Sequence, residues 1–214
     1  MVVPHYPHHV TQRGNRKQRT FFCDEDYRQY LQLIAKARKK AKVAVWAYCL
    51  MPNHVHFVIV PETDKGLARF FSESHRLYTR AINAREGWQG HLWQERFHST
   101  VMNEHYLIAA VRYVELNPVR AGLCENPFSW RWSSAVPHLE GIDDEIVTVK
   151  PMLDRISRWE RFLDVVDMHE KADIIRQHGR SGRPLGGMDF VEKVEKLTNR
   201  NLQKKKTGPG PRTS

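Results

Sequence analysis

The stretch YCLMPNHVHFVIV, which runs from Tyr48 to Val60, predicts a β-hairpin with an unusual second strand. The residues VAVWAYCL (43–50) are rich in β-branched and aromatic side chains, and Met51-Pro52-Asn53 supplies a turn. The returning strand, HVHFVIV (54–60), is almost wholly apolar, as expected for a strand at the centre of a sheet. It nevertheless begins with two histidines, so this hairpin marks both the core of the fold and a candidate site.

His54 and His56 are predicted to share one face of that strand, because side chains two residues apart point the same way. Val55 and Phe57 then face the other side. Two imidazoles about 7 Å apart along a strand can converge on one metal ion, and imidazole suits zinc, manganese, iron or nickel. Two core histidines bonded to backbone carbonyls are the simpler explanation of an isolated pair. A metal site is favoured only if a facing element adds a third ligand and a nucleophile.

The surrounding sequence predicts elements in the order β-α-β-β-α-β-α, which is typical of a split β-α-β arrangement. The fold class is therefore predicted to be α+β, with a ferredoxin-like antiparallel sheet flanked by helices. Asp24 is the expected N-cap of the first helix, and Pro118 is expected to end the third. The predicted strands lie at about 8–12, 43–50, 54–60 and within 96–102, and the predicted helices at 24–41, 66–84 and 104–117.

The character of the chain changes after about residue 140, which predicts two parts. Residues 1–140 form the main domain, and residues 141–214 form a C-terminal helical and basic extension. Within the extension, helices are predicted at 151–178 and 189–202, separated by the basic, glycine-rich RSGRPLGG. The last ten or so residues, which follow the lysine run 204–206, are expected to be disordered.

The charge of the chain points to a polyanionic partner. Lys and Arg number 34 against 24 for Asp and Glu, giving a formal net charge of +10 and a pI of about 9.7. No apolar run is long enough to span a bilayer, so no membrane partner is expected. The start MVVPHYPHHV lacks the apolar segment of a signal peptide, and the three cysteines are far apart. Both features favour a reducing cytoplasm.

The third predicted helix carries the candidate partners of the histidines. At 3.6 residues per turn, Tyr106, Tyr113 and Asn117 lie on one face, beside an apolar stripe that should pack on the sheet. Tyr113 is favoured as nucleophile, and the amide oxygen of Asn117 can coordinate a metal. Tyr106 and Tyr78 are the rival tyrosines. Glu115 points away from the Tyr113 face and is expected to be solvated.

Three segments together, YCLMPNHVHFVIV, GHLWQERFHS and YVELNPVRAGL, resemble the single-tyrosine HUH transposases. More narrowly, they are similar to the REP-associated tyrosine transposases of bacterial chromosomes. The resemblance covers about residues 5–140, and the His-hydrophobic-His motif is His54-Val55-His56. It implies the HUH nuclease fold for this domain.

The resemblance also implies a mechanism. In that family two histidines and a Gln or Asn bind Mg²⁺ or Mn²⁺, and the tyrosine attacks a phosphate of single-stranded DNA. The product is a 5′-phosphotyrosine intermediate, which permits strand transfer. Carried over to this sequence, the metal ligands are His54, His56 and Asn117, and the nucleophile is Tyr113. The expected substrate is a REP-like single-stranded hairpin.

The DNA contacts are predicted from basic and aromatic residues, because single strands are bound through phosphates and stacked bases. The loop after the first strand is the first candidate, the tryptophan-containing loop before the fourth is the second, and the glycine-rich segment adds two arginines. The predicted DNA-binding residues are Arg13, Arg16, Lys17, Arg19, Trp93, Gln94, Arg96, Arg180 and Arg183.

Other functions stay open on sequence alone. They are a hairpin-binding protein that does not cleave, an HUH replication initiator or relaxase, and an unrelated metallohydrolase. The chain has no P-loop GxxxxGK[ST], which weighs against an attached helicase. A monomer is expected, with a dimer as the alternative, and a bacterial, nucleoid-associated location follows from the resemblance.

Overall fold

The computed structural model describes residues 1–164, 175 and 182–202 of the chain. The strands are β1 (His8–Arg13), β2 (Val43–Met51), β3 (His54–Pro61) and β4 (His98–Val101). The helices are α1 (Asp24–Ala41), α2 (Gly66–Glu86), α3 (Glu104–Glu115), α4 (Asn117–Arg120), α5 (Ala135–Glu140), α6 (Lys150–Leu153), α7 (Trp159–Phe162) and α8 (Met188–Thr198). The strands form one antiparallel sheet in the order β2-β3-β1-β4, which confirms the predicted ferredoxin-like α+β fold.

The histidine strand β3 lies inside the sheet, between β2 and β1. In the register of the β2–β3 hairpin, Met51 is opposite His54 and Cys49 is opposite His56. On the other side, β1 places Thr11 opposite His56 and Arg13 opposite His54. Because β3 is hydrogen-bonded on both edges, the two histidine backbones are held firmly in position.

The alternation of β3 divides the core in two, as the sequence predicts. Val55 and Phe57 face the layer formed by α1 and α2. Val58 faces the opposite layer, where it packs with Leu107 and Val111 of α3. The histidines therefore share the α3 side of the sheet with the helix that carries Tyr113.

Two predicted helix ends differ from the structure. Asp26, not Asp24, completes the N-terminus of α1, because its carboxylate accepts hydrogen bonds from the backbone N–H groups of Phe22 and Cys23 at 2.7 and 3.3 Å. The chain is helical again at Pro118, where the sequence predicts the helix to end. Pro118 lies in the first turn of α4, where its missing N–H costs little, and α4 follows α3 almost directly.

The predicted helix 151–178 is wrong in its described part, where α6 and α7 are separated by an irregular turn. Most of the remainder of that range lies outside the described residues, as do Arg180 and the C-terminal tail. The predicted helix 189–202 corresponds to the shorter α8. No helix in the described ranges is both long and apolar enough to cross a bilayer.

The C-terminal extension packs against both edges of the sheet. Next to β2, the backbone N–H of Thr148 donates to Val45 O at 2.9 Å. Next to β4, the N–H of Leu185 donates to Val101 O at 2.8 Å. The extension thus contributes backbone hydrogen bonds to the same sheet that holds the histidines, while the domain boundary near residue 140 stays a prediction.

Candidate functional site

A cleft of about 630 Å³ opens on the α3 side of the sheet. Residues of β1, β3, α3 and α4 line it. The structure brings together in this cleft the four residues that the sequence predicts as nucleophile and ligands: Tyr113, His54, His56 and Asn117. They come from β3 and, about fifty residues further along the chain, from the consecutive helices α3 and α4.

Asn53 in the hairpin turn fixes the orientation of His54. Its Nδ2 donates to Lys17 O at 3.1 Å, which leaves its Oδ1 to accept from His54 Nδ1 at 2.6 Å. The Nε2 atom of His54 is then the unprotonated one. Burial, followed by the charge of Arg13, lowers the pKa of His54 to about 4, so the ring is neutral near pH 7.

A third histidine, His9 of β1, supports His56. His9 Nε2 and His56 Nδ1 are 3.0 Å apart, so one of these nitrogens donates a hydrogen bond to the other. Burial is the main cause that holds the pKa of His56 well below its usual value, and burial lowers that of His9 to about 4. Both imidazoles are therefore neutral, and His56 has its Nε2 atom left for another partner.

Tyr113 stands edge-on to this histidine pair. Its ring centroid is 5.6 Å from that of His56 and 5.8 Å from that of His9, at angles of 80° and 78°. The guanidinium of Arg120 lies over the Tyr113 ring, 4.3 Å from the ring centroid. Among the described residues, none hydrogen-bonds to the Tyr113 hydroxyl, so the phenol is available for chemistry.

The rival tyrosines are placed differently. Tyr78 is fully buried, its hydroxyl donates to Thr20 O at 2.6 Å, and burial raises its pKa far above the usual value. Tyr106 lies two turns before Tyr113 but does not line the cleft. Asn117 does line it, and its Nδ2 donates to the backbone oxygen of Tyr113 at 3.2 Å, which leaves its Oδ1 unused by that contact.

The cleft is basic. Arg13, Lys17 and Arg120 line it, and no carboxylate is found among the described residues that do so. Three cations without acidic neighbours create a positive potential suited to a phosphate. Gln94 lines the same cleft, through a loop whose backbone N–H donates to Arg13 O at 2.8 Å.

The other predicted DNA-binding residues lie elsewhere. Arg16 and Arg19 are exposed on the loop after β1 but do not line the cleft, and Arg96 lines a neighbouring groove. Arg183 is exposed shortly before Leu185, which pairs with Met102 at the end of β4. The ring of Trp93 is only 7% exposed because it packs in the core on the α1 and α2 side. Trp93 is thus not a surface platform for stacked bases.

Glu115 is not solvated, contrary to the sequence prediction. It is fully buried, and its carboxyl group accepts hydrogen bonds from Trp159 Nε1 at 2.9 Å, His138 Nδ1 at 2.7 Å and the Ser134 hydroxyl. These partners belong to segments that follow the fourth strand by thirty residues or more. Through these hydrogen bonds, Glu115 connects α3, which carries Tyr113, to the later segments that pack against this helix.

His9, Arg120 and Asn53 were missed by sequence reasoning. The signal for His9 was its alternation with Thr11 and Arg13 in HHVTQR, which places all three on one strand face. Arg120 follows Asn117 by about one helical turn, a spacing at which side chains share a helix face.

The fold and the cleft define a class of protein: an α+β domain in which a histidine pair from a central strand and a helical tyrosine share one basic cleft. The family model for IS200-like transposases matches residues 2–117, just over half of the chain. The protein belongs to the IS200-like transposase family, and the family resemblance drawn from the sequence is confirmed.

One solved structure is similar to this chain in fold, and a second gives a weaker match. The REP-associated tyrosine transposase bound to a REP hairpin has a TM-score of 0.57 and 20% sequence identity, covering 69% of this chain and 88% of that one. The second is a protein from Deinococcus radiodurans described as a transposase. It has a TM-score of 0.40 and 18% sequence identity, covering 53% of this chain and 91% of that one. No curated protein matches the sequence.

Proposed function

We propose that the protein is a metal-dependent endonuclease and strand transferase for single-stranded DNA, with Tyr113 as its nucleophile. The observation that carries the proposal is the contact of the Tyr113 ring with both His56 and His9. A phenol without a hydrogen-bond partner in the described structure, beside neutral imidazoles and cations, is suited to attack on a phosphate. The expected substrate is a REP-like hairpin, as in the complex of the REP-associated transposase.

The residues of the cleft fit a divalent cation. Neutral imidazole nitrogens bind metals, and the Nδ1 atoms of His54 and His56 are engaged by Asn53 and His9. The Nε2 atoms of both rings and the Oδ1 atom of Asn117 are the donors that would hold Mg²⁺ or Mn²⁺. When bound there, such an ion supplies Lewis-acid stabilisation of the charge on the scissile phosphate.

The chain's own residues supply the other requirements. Arg13 and Lys17 attract and orient the phosphate backbone. Arg120, stacked on the Tyr113 ring, stabilises negative charge as the phenol loses its proton and attacks. The phenol proton passes to water, and the new bond from Tyr113 Oη to phosphorus replaces the bond to the 3′ oxygen. The leaving 3′ oxygen takes up a proton from water, which gives a 5′-phosphotyrosine link and a free 3′-hydroxyl. The link conserves the phosphodiester energy, so rejoining needs no ATP.

The test is incubation of the protein with labelled single-stranded hairpin DNA and Mn²⁺, followed by denaturing electrophoresis. We expect a covalent protein–DNA adduct that is absent in Tyr113→Phe and in His56→Ala. Tyr106→Phe is the matched control, because it removes the hydroxyl of a different tyrosine on the same helix. This variant should form the adduct normally.

An adduct that persists in Tyr113→Phe would remove the assigned nucleophile. Hairpin binding without any adduct would instead indicate a protein that recognises the hairpin but does not cleave it. Size-exclusion chromatography with light scattering checks the expected monomer.

A further inference from the structure

The helix α3, which carries Tyr113, packs on the sheet through apolar side chains. Leu107, Val111 and Val114 are fully buried and belong to the same cluster as Val58 of β3. Apolar packing is non-directional, whereas hydrogen bonds fix an angle. The angle matters here, because a rotation of about 10° moves a group at the outer radius of a helix, about 6 Å from the axis, by roughly 1 Å.

The segment 155–164, which contains α7, contacts α3 near both of its ends. At the start of α3, Glu104 is ion-paired with Arg155. Near the end of α3, the Nε atom of Arg112 donates to Phe162 O at 2.7 Å. The Glu104 side chain is 63% exposed, so water screens the ion pair and its contribution is small. A further contact between the same segment and α3 is buried.

Trp159 makes this buried contact, and its partner on α3 is Glu115. Trp159 Nε1 donates to Glu115 Oε2 at 2.9 Å, and the two residues are 4% and 0% exposed. The other carboxyl oxygen of Glu115 accepts from His138 Nδ1 at 2.7 Å and from the Ser134 hydroxyl. His138 is stacked on Trp159, with ring centroids 4.0 Å apart, so these two donors also hold each other in place. In a buried site such hydrogen bonds are stronger than in water.

Glu115 and Tyr113 lie on nearly opposite sides of α3, because two residues correspond to about 200° of helical rotation. The carboxyl group therefore fixes one side of the helix, and the other side bears the phenol. The Tyr113 ring lies 5.6 Å from that of His56, and this distance depends on the rotation of α3. Misplacement of a reacting group by about 1 Å can slow a reaction by about 100-fold.

We propose that Trp159 is a positioning residue for the nucleophile, and that it acts through Glu115 by fixing the rotation of α3. Its role in the reaction rests on the proposed function, in which Tyr113 attacks a phosphate. Because Trp159 acts on the helix and not on the DNA, its loss slows the chemical step and leaves binding of the hairpin unchanged. The chain after residue 140 thus takes part in the reaction as well as in the edges of the sheet.

The test uses Trp159→Phe, which keeps an aromatic ring in the core and removes the N–H donor. Hairpin affinity is measured by fluorescence anisotropy, and the rate of adduct formation by single-turnover assays with Mn²⁺ and saturating hairpin DNA. We expect the rate to fall by about 10- to 100-fold and the affinity to stay within about twofold of the wild type. Urea denaturation checks that the variant is folded under the assay conditions.

Tyr48→Phe is the matched control. The Tyr48 hydroxyl donates to Asp144 Oδ2 at 2.7 Å, so this variant also removes a buried donor from a carboxyl group between the main domain and the extension. Tyr48 lies on the α1 and α2 side of the sheet, away from α3, and its variant should keep the wild-type rate. Arg112→Gln removes the hydrogen bond to Phe162 O from a partly exposed position, and it should lower the rate and not the affinity. It decides the question if Trp159→Phe does not fold.

Fluorine NMR of the protein labelled with fluorotyrosine follows the Tyr113 ring directly, and its signal is assigned by its absence in Tyr113→Phe. We expect this signal to shift or broaden in Trp159→Phe and to stay unchanged in Tyr48→Phe. An unchanged rate or an unchanged signal in Trp159→Phe would overturn the proposal, as would an equal loss of hairpin affinity. If the wild type forms no adduct, the proposed function fails, while the Tyr113 signal still decides whether Trp159 positions that ring.

Discussion

His9 Nε2 lies 3.0 Å from His56 Nδ1, and the two rings are parallel, with centroids 5.3 Å apart. If His56 binds a metal through Nε2, its Nδ1 carries the proton and His9 is the acceptor. Such a second partner fixes the ring and raises its basicity as a ligand. His9 then acts on the metal through His56.

We therefore expect His9→Leu to weaken Mn²⁺ binding by roughly 10- to 100-fold. Isothermal titration in a Tyr113→Phe background, with hairpin DNA present, measures this without cleavage. His98→Leu is the control, because His98 lines the same cleft but has no described contact with His56. Equal Mn²⁺ affinity of His9→Leu and the Tyr113→Phe parent would show that His9 contributes packing alone and does not act on His56 as a metal ligand.

Arg120 should matter for the chemical step more than for binding. Its guanidinium is stacked on the Tyr113 ring at 4.3 Å, where it can stabilise the forming negative charge. We expect Arg120→Ala to slow adduct formation by roughly 10²-fold in single-turnover assays, as for removal of one electrostatic stabiliser. Arg131→Ala removes a similar stack, 4.4 Å from Trp132 and outside the cleft, and should leave the rate unchanged. A rate unaltered in Arg120→Ala would exclude this role.

Acid should destabilise the folded protein through its buried histidines. Burial lowers the pKa of the fully buried His8 to about 4, against about 6.5 in the unfolded chain. Between these values the unfolded chain binds one more proton, so the free energy of unfolding falls as pH decreases from about 6.5 to about 4. For His8 the loss is about 3 kcal/mol, and above pH 7 it is absent.

Urea denaturation at pH 7, 6 and 5 measures this dependence. His8→Gln should make the dependence less steep, because one of the buried histidines is removed, whereas His91→Gln, at an exposed histidine, should leave it unchanged. Identical pH dependence in His8→Gln and the wild type would contradict the assigned cause.

The buried carboxyl group of Glu115 should be important for stability. Glu115→Ala leaves Ser134, His138 and Trp159 without their shared acceptor, and we expect a loss of about 3–5 kcal/mol in the free energy of unfolding. Glu115→Gln keeps an acceptor oxygen and should lose less. Glu140→Ala, at an exposed position, is the control for urea denaturation. A loss below about 1 kcal/mol in Glu115→Ala would mean that the network is replaced by water.

The sheet and the positions of His54, His56 and Tyr113 could be predicted because each follows from local periodicity. A period of two places both histidines on one face of β3, and a period of 3.6 places Tyr113 and Asn117 on one side of α3. Neither inference needs knowledge of distant segments.

Glu115 and Trp93 could not be predicted for the same reason. Glu115 lies off the apolar stripe of α3, and only a segment far along the chain, with Trp159, covers that side of the helix. Trp93 lies in an irregular loop, where no periodicity indicates whether a ring faces the core or solvent. What buries each of them is tertiary packing, which local sequence does not encode.

The basic loop after β1 is fastened at its ends by backbone atoms. Gly14 N donates to Asn53 O and Thr20 N to Pro52 O, and a side chain at residue 14 would collide with Gln18 O at 2.3 Å. Arg16 and Arg19, by contrast, are exposed and contribute no described side-chain hydrogen bond to this attachment. The side chains of Arg16 and Arg19 can therefore be replaced without loss of the backbone contacts that hold this loop beside the cleft. Under the proposed function, these two positions are where a library of variants can be selected for a changed DNA preference.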